Sequence, residues 1–582
     1  MGGEGLEGVR ELARKLALQN AVKHGGRADA RATLGRLLAE RADLRPRAKE
    51  LARIVEEVVR EVNGMGIEEQ RRELGSLGIS AERGRREEPR ALPPLPNADK
   101  YPKIVTRFSP NPDCVLHLGS VRAAVLSHEY ARIYGGKFIL RFEDTDPRLK
   151  RSSLEYYDAI RSDLRWLGCE WDEEYIQSER LGIYYELAED LIERGGAYVC
   201  TCNREAFKSL ALAGRPCPCR ELGPGAHLER WGLMLSGGYG EGEAIVRVKT
   251  DLGHPNPAVR DWPALRIIDP ERHPHPRVGS AYRVWPLYNF ACGVDDHLMG
   301  ITHIIRGKEH YTNMVRQKYM YAHFGWEYPE AIHYGRLKVA GAELSKSKIL
   351  RAVEAGLVSG FSDPRLPTLM ALRRRGILPE ALRGLAIEVG PKPVDATISW
   401  ENLYARNRKL VDPMANRYFF IPDPIPLEVR GMPGPMEARL PLHPEFPGRG
   451  HRAIRVEPEG GAARLLAPGS DLRRLGSGSI VRLMGLMNVR VLSVGGGGAE
   501  AEYLGESPEP ARRAGIPIIQ WLPGRGNLDV ELIKEDAKAI VGPGEAGLSG
   551  EPVGAIIQLV RIGFGRIDEK APGGVRIVFA HP

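Results

Sequence analysis

Four cysteines stand as two C-x-C pairs, Cys200/Cys202 and Cys217/Cys219, separated by fourteen residues. Thiolates spaced this way can converge on one tetrahedral metal site. Paired disulfides are the other reading. In "HLGS", His117, Gly119 and Ser120 sit where a helical pattern begins. Free backbone N–H groups and the helix dipole favour an anion there, and glycine lets a ligand come close. A plain structural turn is the alternative. The segment "RFEDTDPRLK" ends a strand pattern, Lys137–Phe142, on three acids, Glu143, Asp144 and Asp146. Acids at the carboxyl end of a strand can hold an ammonium group, or simply cap a turn. In "ITHIIRG" an apolar strand delivers Arg306, which needs a carboxylate or phosphate partner if buried. That partner is either a ligand or the nearby Asp295 and Asp296. Finally, "GAELSKSKIL" carries Lys346 and Lys348 in a Ser/Lys loop that can clamp a triphosphate or stay solvated.

These residues need a scaffold. The run "IVTRFSPNPDCVLHLGSVRAAVLSHEYAR" reads as strand, loop broken by Pro110 and Pro112, then helix. Val121, Ala124, Val125 and His128 share the buried face of that helix. Residues 1–90 look helical, with Leu51, Ile54, Val55, Val58 and Val59 on one stripe, Pro46 near a helix start and Gly64 as a stop. A charged, Pro-rich stretch follows as a linker. Strand and helix alternate from about 101 to 345, residues 346–400 are mainly helical, and short strands with Gly/Pro punctuation fill the rest.

The chain has 582 residues, 42% hydrophobic and 27% charged, which is the composition of a globular protein with several cores. It has no run of eighteen apolar residues, so no membrane span is expected. The first residues, "MGGEGLEGVRELARK", carry no apolar leader core. With only seven cysteines, a reduced cytoplasmic setting is expected. A net charge of +8 suits a polyanionic partner.

The order of the motifs says more than any one of them. The His-x-Gly loop is followed by "EDTD", a Cys-rich insertion, "YNFACGVDDHLMGITHIIRG" and "ELSKS". This series resembles the class I aminoacyl-tRNA synthetases, and within them the glutamyl-tRNA synthetases of the archaeal and eukaryotic type. "HLGS" corresponds to the HIGH signature and "ELSKS" to KMSKS. Two positions depart from those signatures: Ser120 replaces the second histidine and Glu343 the first lysine. Cys114 stands where many relatives carry a small residue.

The resemblance implies a multidomain α/β plus β fold. Its expected parts are a helical N-terminal extension and linker (1–97), a Rossmann-like catalytic half (98–195), an insertion gripping the tRNA acceptor end (196–283), a second catalytic half (284–345), a helical connecting region (346–405), and β-barrel anticodon-binding domains (406–582). It implies ATP with Mg2+ and, at the four cysteines, Zn2+. His117, Gly119 and Lys346 are the expected catalytic residues. Pro110, His117, Gly119, Ser120, Leu337, Ser345 and Lys346 are expected around ATP. Arg107, Ser109, Glu143, Tyr288 and Arg306 are expected around glutamate. Arg306 occupies a place where glutaminyl enzymes carry an uncharged residue, and Asn111 a place where they carry an acid; both favour glutamate over glutamine. The expected partner is tRNA(Glu), with tRNA(Gln) left open, and the expected state is a monomer. A glutaminyl enzyme, a non-catalytic tRNA-binding module and a nucleotidyltransferase are the competing readings.

Overall fold

The computed structural model describes residues 4–23, 26–41, 44, 47–76, 92–341 and 345–582. Pro46, residues 77–91 (which include the first part of the expected linker, 81–102) and Glu343 lie outside them. The chain divides into two compact units, 1–90 and 91–582.

The first unit contains helices Glu4–Lys23, Ala30–Glu40, Ala48–Asn63 and Ile67–Ser76. Leu51, Val55, Val58, Val59 and Val62 recur at helical spacing and bury one stripe against Val9, Ala13, Leu16 and Leu37, with Ile54 half-buried at its margin. Asn63 closes the end of its helix by exchanging two hydrogen bonds with the Ala28 backbone (2.6 and 3.0 Å).

The second unit is built on five short strands: β1 (Val105–Phe108), β2 (Lys137–Phe142), β3 (Glu173–Ile176), β4 (His303–Gly307) and β5 (Glu330–Tyr334). β1, β2 and β3 pair in parallel, as do β4 and β5. Thr302, just before β4, exchanges hydrogen bonds with Val105 at the start of β1, which sets β4 beside β1. The spatial order is therefore 3-2-1-4-5. The winding reverses between β1 and β4, and in such sheets ligands lie at the carboxyl ends beside that reversal. Both β1 and β4 are buried along their whole length, polar residues included: Thr106 and Arg107 on β1, His303 and Arg306 on β4.

Four helices matter for the site and a fifth for its support: α1 (Leu118–Ile133), α2 (Tyr288–Leu298), α3 (Tyr311–Phe324), α4 (Lys346–Glu354) and α5 (Leu369–Arg375). Val121, Ala124, Val125 and His128 of α1 are buried, as the period predicts. The Ser/Lys segment expected as a loop is instead helical from Lys346 onward, with Ser345 as its N-cap.

Between β3 and α2 an antiparallel sheet of Ala197–Cys200, Ile245–Val248, Pro263–Ile267 and Val284–Pro286 forms a core around Trp231, Trp262 and Trp285. The last part of the chain holds two curled sheets where β-barrels are predicted. In the seven-stranded one, Ile518–Ile519 pairs with Arg482–Leu483 at one edge and Leu522–Pro523 with Leu465–Leu466 at the other. In the six-stranded one, Asn416–Tyr418 pairs with Ile557–Leu559 at one edge, and Phe420 bridges Gly544 at the other. Each sheet thus bends until a single segment reaches both of its edges. No helix among the described residues is long and apolar enough to cross a membrane.

Candidate active site

β1 ends at Phe108, and the loop Ser109–Leu116 carries the chain to α1. His117 is the N-cap of α1, with extended backbone, and its Nδ1 accepts from Gly119 N–H (3.0 Å). The sequence reading expects free N–H groups at this helix start. The structure corrects that: Leu118 N–H donates to Pro367 O, Gly119 N–H to His117 Nδ1 and Ser120 N–H to His117 O. For Leu118 the reason is a long-range pairing, in which His117 bridges Thr368 in antiparallel fashion, whereas Gly119 and Ser120 bond back to the N-cap itself. Any ligand here meets the helix dipole and the histidine ring, not these three amides.

Burial, reinforced by the nearby Lys346 charge, pushes the His117 imidazolium down to about 4. The ring is therefore neutral near pH 7. Because Nδ1 accepts, the proton of the neutral ring sits on Nε2, which becomes a hydrogen-bond donor. Lys346, the first residue of α4, donates from Nζ to Asn111 O (3.1 Å) and Asp113 Oδ1 (2.9 Å). The two signature segments, 229 residues apart, are thus brought onto one loop. Asp113 is a residue that the sequence reading did not single out. Pro110 O accepts from Glu143 N–H (3.0 Å), so the same loop also fixes the acid at the end of β2. Leu337 lies on a short strand, Leu337–Val339, paired with Ala396–Ile398.

Around Arg107, Arg141 and Arg306 lies a buried charge cluster. Arg107 of β1 donates from Nε and Nη2 to the two oxygens of Asp296 (3.0 and 3.2 Å). Arg141 of β2, with no exposed surface, reaches Asp296 Oδ1 (2.9 Å) and Glu143 Oε1 (3.0 Å). Asp295 is held by Gln177, Arg180 and Tyr184. Burial alone would raise the Asp296 carboxyl, but Arg107 and Arg141 overcome it and hold it well below the usual range. Cys292, one turn earlier on α2, contacts both arginines. Ser109 follows β1 with its hydroxyl enclosed and unpartnered. Tyr288 opens α2 and packs against His310, ring centroids 5.3 Å apart.

Arg306 differs from the other arginines. It is 5% exposed, and its bonds go to Gln317 Oε1 of α3 (3.2 and 3.3 Å), Tyr328 OH (2.9 Å) and His333 Nε2 (3.4 Å). All of these are uncharged. His310 and His333 are each pushed down to about 4, first by burial and then by the Arg306 charge. Asp295 and Asp296 serve other arginines, so the alternative of an Arg306 locked to either is not what the structure contains. Among the described residues, the cluster sets the guanidinium groups of Arg107, Arg141, Arg180 and Arg306 against the carboxylates of Glu143, Asp295 and Asp296. One positive charge is left over, and Arg306 is the one without a carboxylate. Gln317, Tyr328 and His333 were not foreseen; they are brought in by α3, by the segment that follows it and by β5, with no local signal in the sequence.

The other two acids of "EDTD" are structural. Asp144 accepts from Tyr157 OH, Ser178 N–H and Ser178 Oγ. Asp146 caps its own turn and accepts from Arg266.

The four cysteine sulfurs lie within 4.8 Å of one another. Cys200 and Cys217 are 3.9 Å apart and Cys202 and Cys219 3.8 Å. A tetrahedral site with metal–sulfur bonds of about 2.3 Å has sulfur–sulfur edges of about 3.8 Å. All seven cysteines are free thiols, so the disulfide alternative is not realised. This cluster can hold a metal ion.

The neutral histidines give a pH prediction. Between about pH 6.5 and 4, the unfolded chain binds protons that His117, His310 and His333 do not bind when folded, so stability should fall as pH drops through that window. Thermal melts from pH 8 to 4.5 should show it, and His333→Gln should flatten the slope.

Residues 103–413 match the family described as tRNA synthetases class I (E and Q), catalytic domain, and residues 415–503 match the anti-codon binding domain of the same group. The chain is 50% identical over 577 residues to a glutamate–tRNA ligase of Thermococcus onnurineus, covering 98% of this chain and 100% of that one. It is 49% identical over 578 residues to the glutamate–tRNA ligase of Pyrococcus furiosus, again covering 98% and 100%. For that of Methanopyrus kandleri it is 48% identical over 573 residues, covering 98% and 99%. With the motif order, the reversed parallel sheet and two matched domains in agreement, the chain belongs to the class I tRNA synthetases of the glutamate and glutamine group.

Proposed function

We propose that this protein is a glutamate–tRNA ligase, and that Arg306 reads the substrate's side-chain carboxylate. The observation that carries the reading is the buried guanidinium with only neutral partners in a cluster one negative charge short. Glutamate, with one ammonium and two carboxylates, brings one net negative charge and balances the cluster. Glutamine brings none and leaves a buried charge uncompensated, which is costly. In this reading Glu143 takes the ammonium group, Arg107 and Ser109 line the α-carboxylate side, and Tyr288 walls the pocket.

In the first step the glutamate α-carboxylate attacks the α-phosphorus of ATP, and pyrophosphate leaves. His117 donates from Nε2 to a phosphate oxygen, and the Lys346 ammonium meets the charge that develops on pyrophosphate. Gly119 and Ser120 lie at the helix start beside the triphosphate, Pro110 and Ser345 at the two loops flanking it, and Leu337 beside the base. Magnesium would accompany ATP as the counterion of its triphosphate. In the second step a terminal ribose hydroxyl of tRNA attacks the acyl carbon, and AMP leaves. Positioning and charge stabilisation do the catalysis, with no covalent enzyme intermediate. The antiparallel insertion is read as the grip on the tRNA acceptor end, and the two curled sheets as the anticodon-binding part. The reading takes tRNA(Glu) as partner and a monomer as the working state. Zinc is the metal assigned to the cysteine cluster, where four soft thiolates favour it over hard cations and it would act as a structural clamp.

Arg306→Ala should lower kcat/KM for glutamate by about 100-fold, roughly 3 kcal/mol, leave the KM for ATP within a few-fold, and narrow the gap between glutamate and glutamine. Steady-state aminoacylation with both amino acids decides it; a variant that keeps its glutamate preference and only melts earlier rules out the assignment.

Lys346→Ala should leave ATP binding nearly intact while slowing adenylate formation at least tenfold, about 1.4 kcal/mol of transition-state stabilisation. A single-turnover rate equal to wild type would remove Lys346 from the chemistry.

Freshly purified protein prepared without chelators should contain one zinc per chain, and Cys217→Ser should lower that content. Elemental analysis without stoichiometric zinc rejects the metal assignment.

A further inference from the structure

His117 is held from outside its own loop. Thr368 bridges it, Leu118 N–H donates to Pro367 O (2.9 Å), and Leu369 N–H donates to Leu116 O (3.0 Å). Thr368 is fully buried; its Oγ1 donates to Phe361 O and accepts from Ala371 N–H, capping α5. The backbone that fixes the histidine is therefore the N-terminal end of α5.

The far end of α5 is anchored in the six-stranded C-terminal sheet. Arg374 grips Asp568 through two nitrogens, Nε to Oδ1 (3.0 Å) and Nη2 to Oδ2 (2.6 Å). Arg375, 3% exposed, donates to Phe579 O (3.3 Å), Ala580 O (2.7 Å) and Tyr404 OH (2.8 Å). Gly376 ends the helix at φ +89°, and a Cβ there would stand 3.2 Å from Arg566 Cβ, so the turn lies directly on the sheet.

Asp568 itself marks the contact as built. Ile567 pairs with Ile577 and Glu569 with Arg576, which leaves Asp568 out of register between them. Such a bulge breaks the alternation of side chains and re-aims the extra residue; here that residue is the one held by Arg374. At seven residues, α5 spans about 10 Å, too short to flex between its two anchors.

We propose that α5 is a strut through which the C-terminal sheet holds His117 in place, with Asp568 and Arg374 as positioning residues for adenylate formation. The inference rests on the reading of His117 as catalytic. A displacement at the sheet end is carried along a single helix to the backbone of the histidine. Ångström-scale misplacement of a catalytic group is expensive in rate.

The test is the ATP dependence of aminoacylation by the full chain at saturating glutamate and tRNA, for Asp568→Asn, Arg374→Gln and the double variant. Each single variant should lower kcat/KM for ATP by about fivefold or more, with the KM for glutamate unchanged. The double variant should be no worse than either single one, because the two groups act as a pair. Arg374→Lys, which keeps the charge without the fork, should fall between Arg374→Gln and wild type. Glu500→Gln, which breaks a surface pair with Arg430, should behave as wild type. Singles with wild-type ATP dependence, losses that add in the double variant, or an equal loss in Glu500→Gln overturn the strut. A wild-type chain that charges no tRNA with glutamate overturns the underlying reading first, and the two failures are thereby distinct.

Discussion

Burying charge next to the ends of three strands is the constraint on which the rest of the site depends. Arg107, Arg141 and Arg306 come from β1, β2 and β4, and all three are almost fully removed from solvent. A buried guanidinium without a partner is heavily penalised, so the carboxylates must arrive with the fold. Asp296 arrives on α2 and serves Arg107 and Arg141 at once. A one-residue slip of β1 or β2 would turn its arginine to the other face of the sheet and strand both charges. Register of the sheet and geometry of the site are therefore one condition. The remaining uncompensated charge belongs to Arg306, whose neutral partners hold its direction without satisfying it.

The two halves of the site use protonation state in opposite ways. In the buried cluster, arginines supply fixed positive charge, and burial keeps His310 and His333 neutral so that they do not add to the excess. At the starts of α1 and α4, Lys346 is held by Asn111 O and Asp113, while His117 is neutral and locked in one tautomer by Gly119 N–H. A charged His117 would repel Lys346; a neutral one can stand beside it and donate to the same anion.

The residues whose chemistry is local were legible in the sequence, and their partners were not. His117, Lys346, Arg306 and the four cysteines each stood beside a plainer reading, and it was the order of their motifs along the chain that singled them out. The strand Lys137–Phe142 and the buried face of α1 followed from periodicity. In contrast, the Leu118 amide at the start of α1 looked free because its acceptor, Pro367, lies 249 residues further along the chain. Lys346 looked like part of a solvated loop because its partner Asp113 belongs to a different motif. Gln317 and Tyr328 carry no signature at all; they matter only because α3 and the segment after it bring them against Arg306. The curling of the C-terminal sheets was anticipated as β-barrels from short strands with Gly/Pro punctuation, but which segments pair with both edges leaves no mark on their composition.

The "EDTD" motif shows how one short stretch can serve two mechanical ends. Only Glu143 belongs to the charge cluster, through Arg141. Asp144 turns away into a buried knot with Tyr157 and Ser178, and its carbonyl oxygen meets His275 of the insertion (2.9 Å). Asp146 reaches Arg266, on a strand of the insertion sheet. The acids following β2 thus fasten the insertion to the catalytic sheet on one side while the first of them faces the amino-acid cluster on the other. A brace that starts at the last residues of β2 keeps the antiparallel sheet and the parallel sheet in a common frame. The crowding of three carboxylates in four positions follows from that geometry, with one acid directed to the pocket and two to the brace.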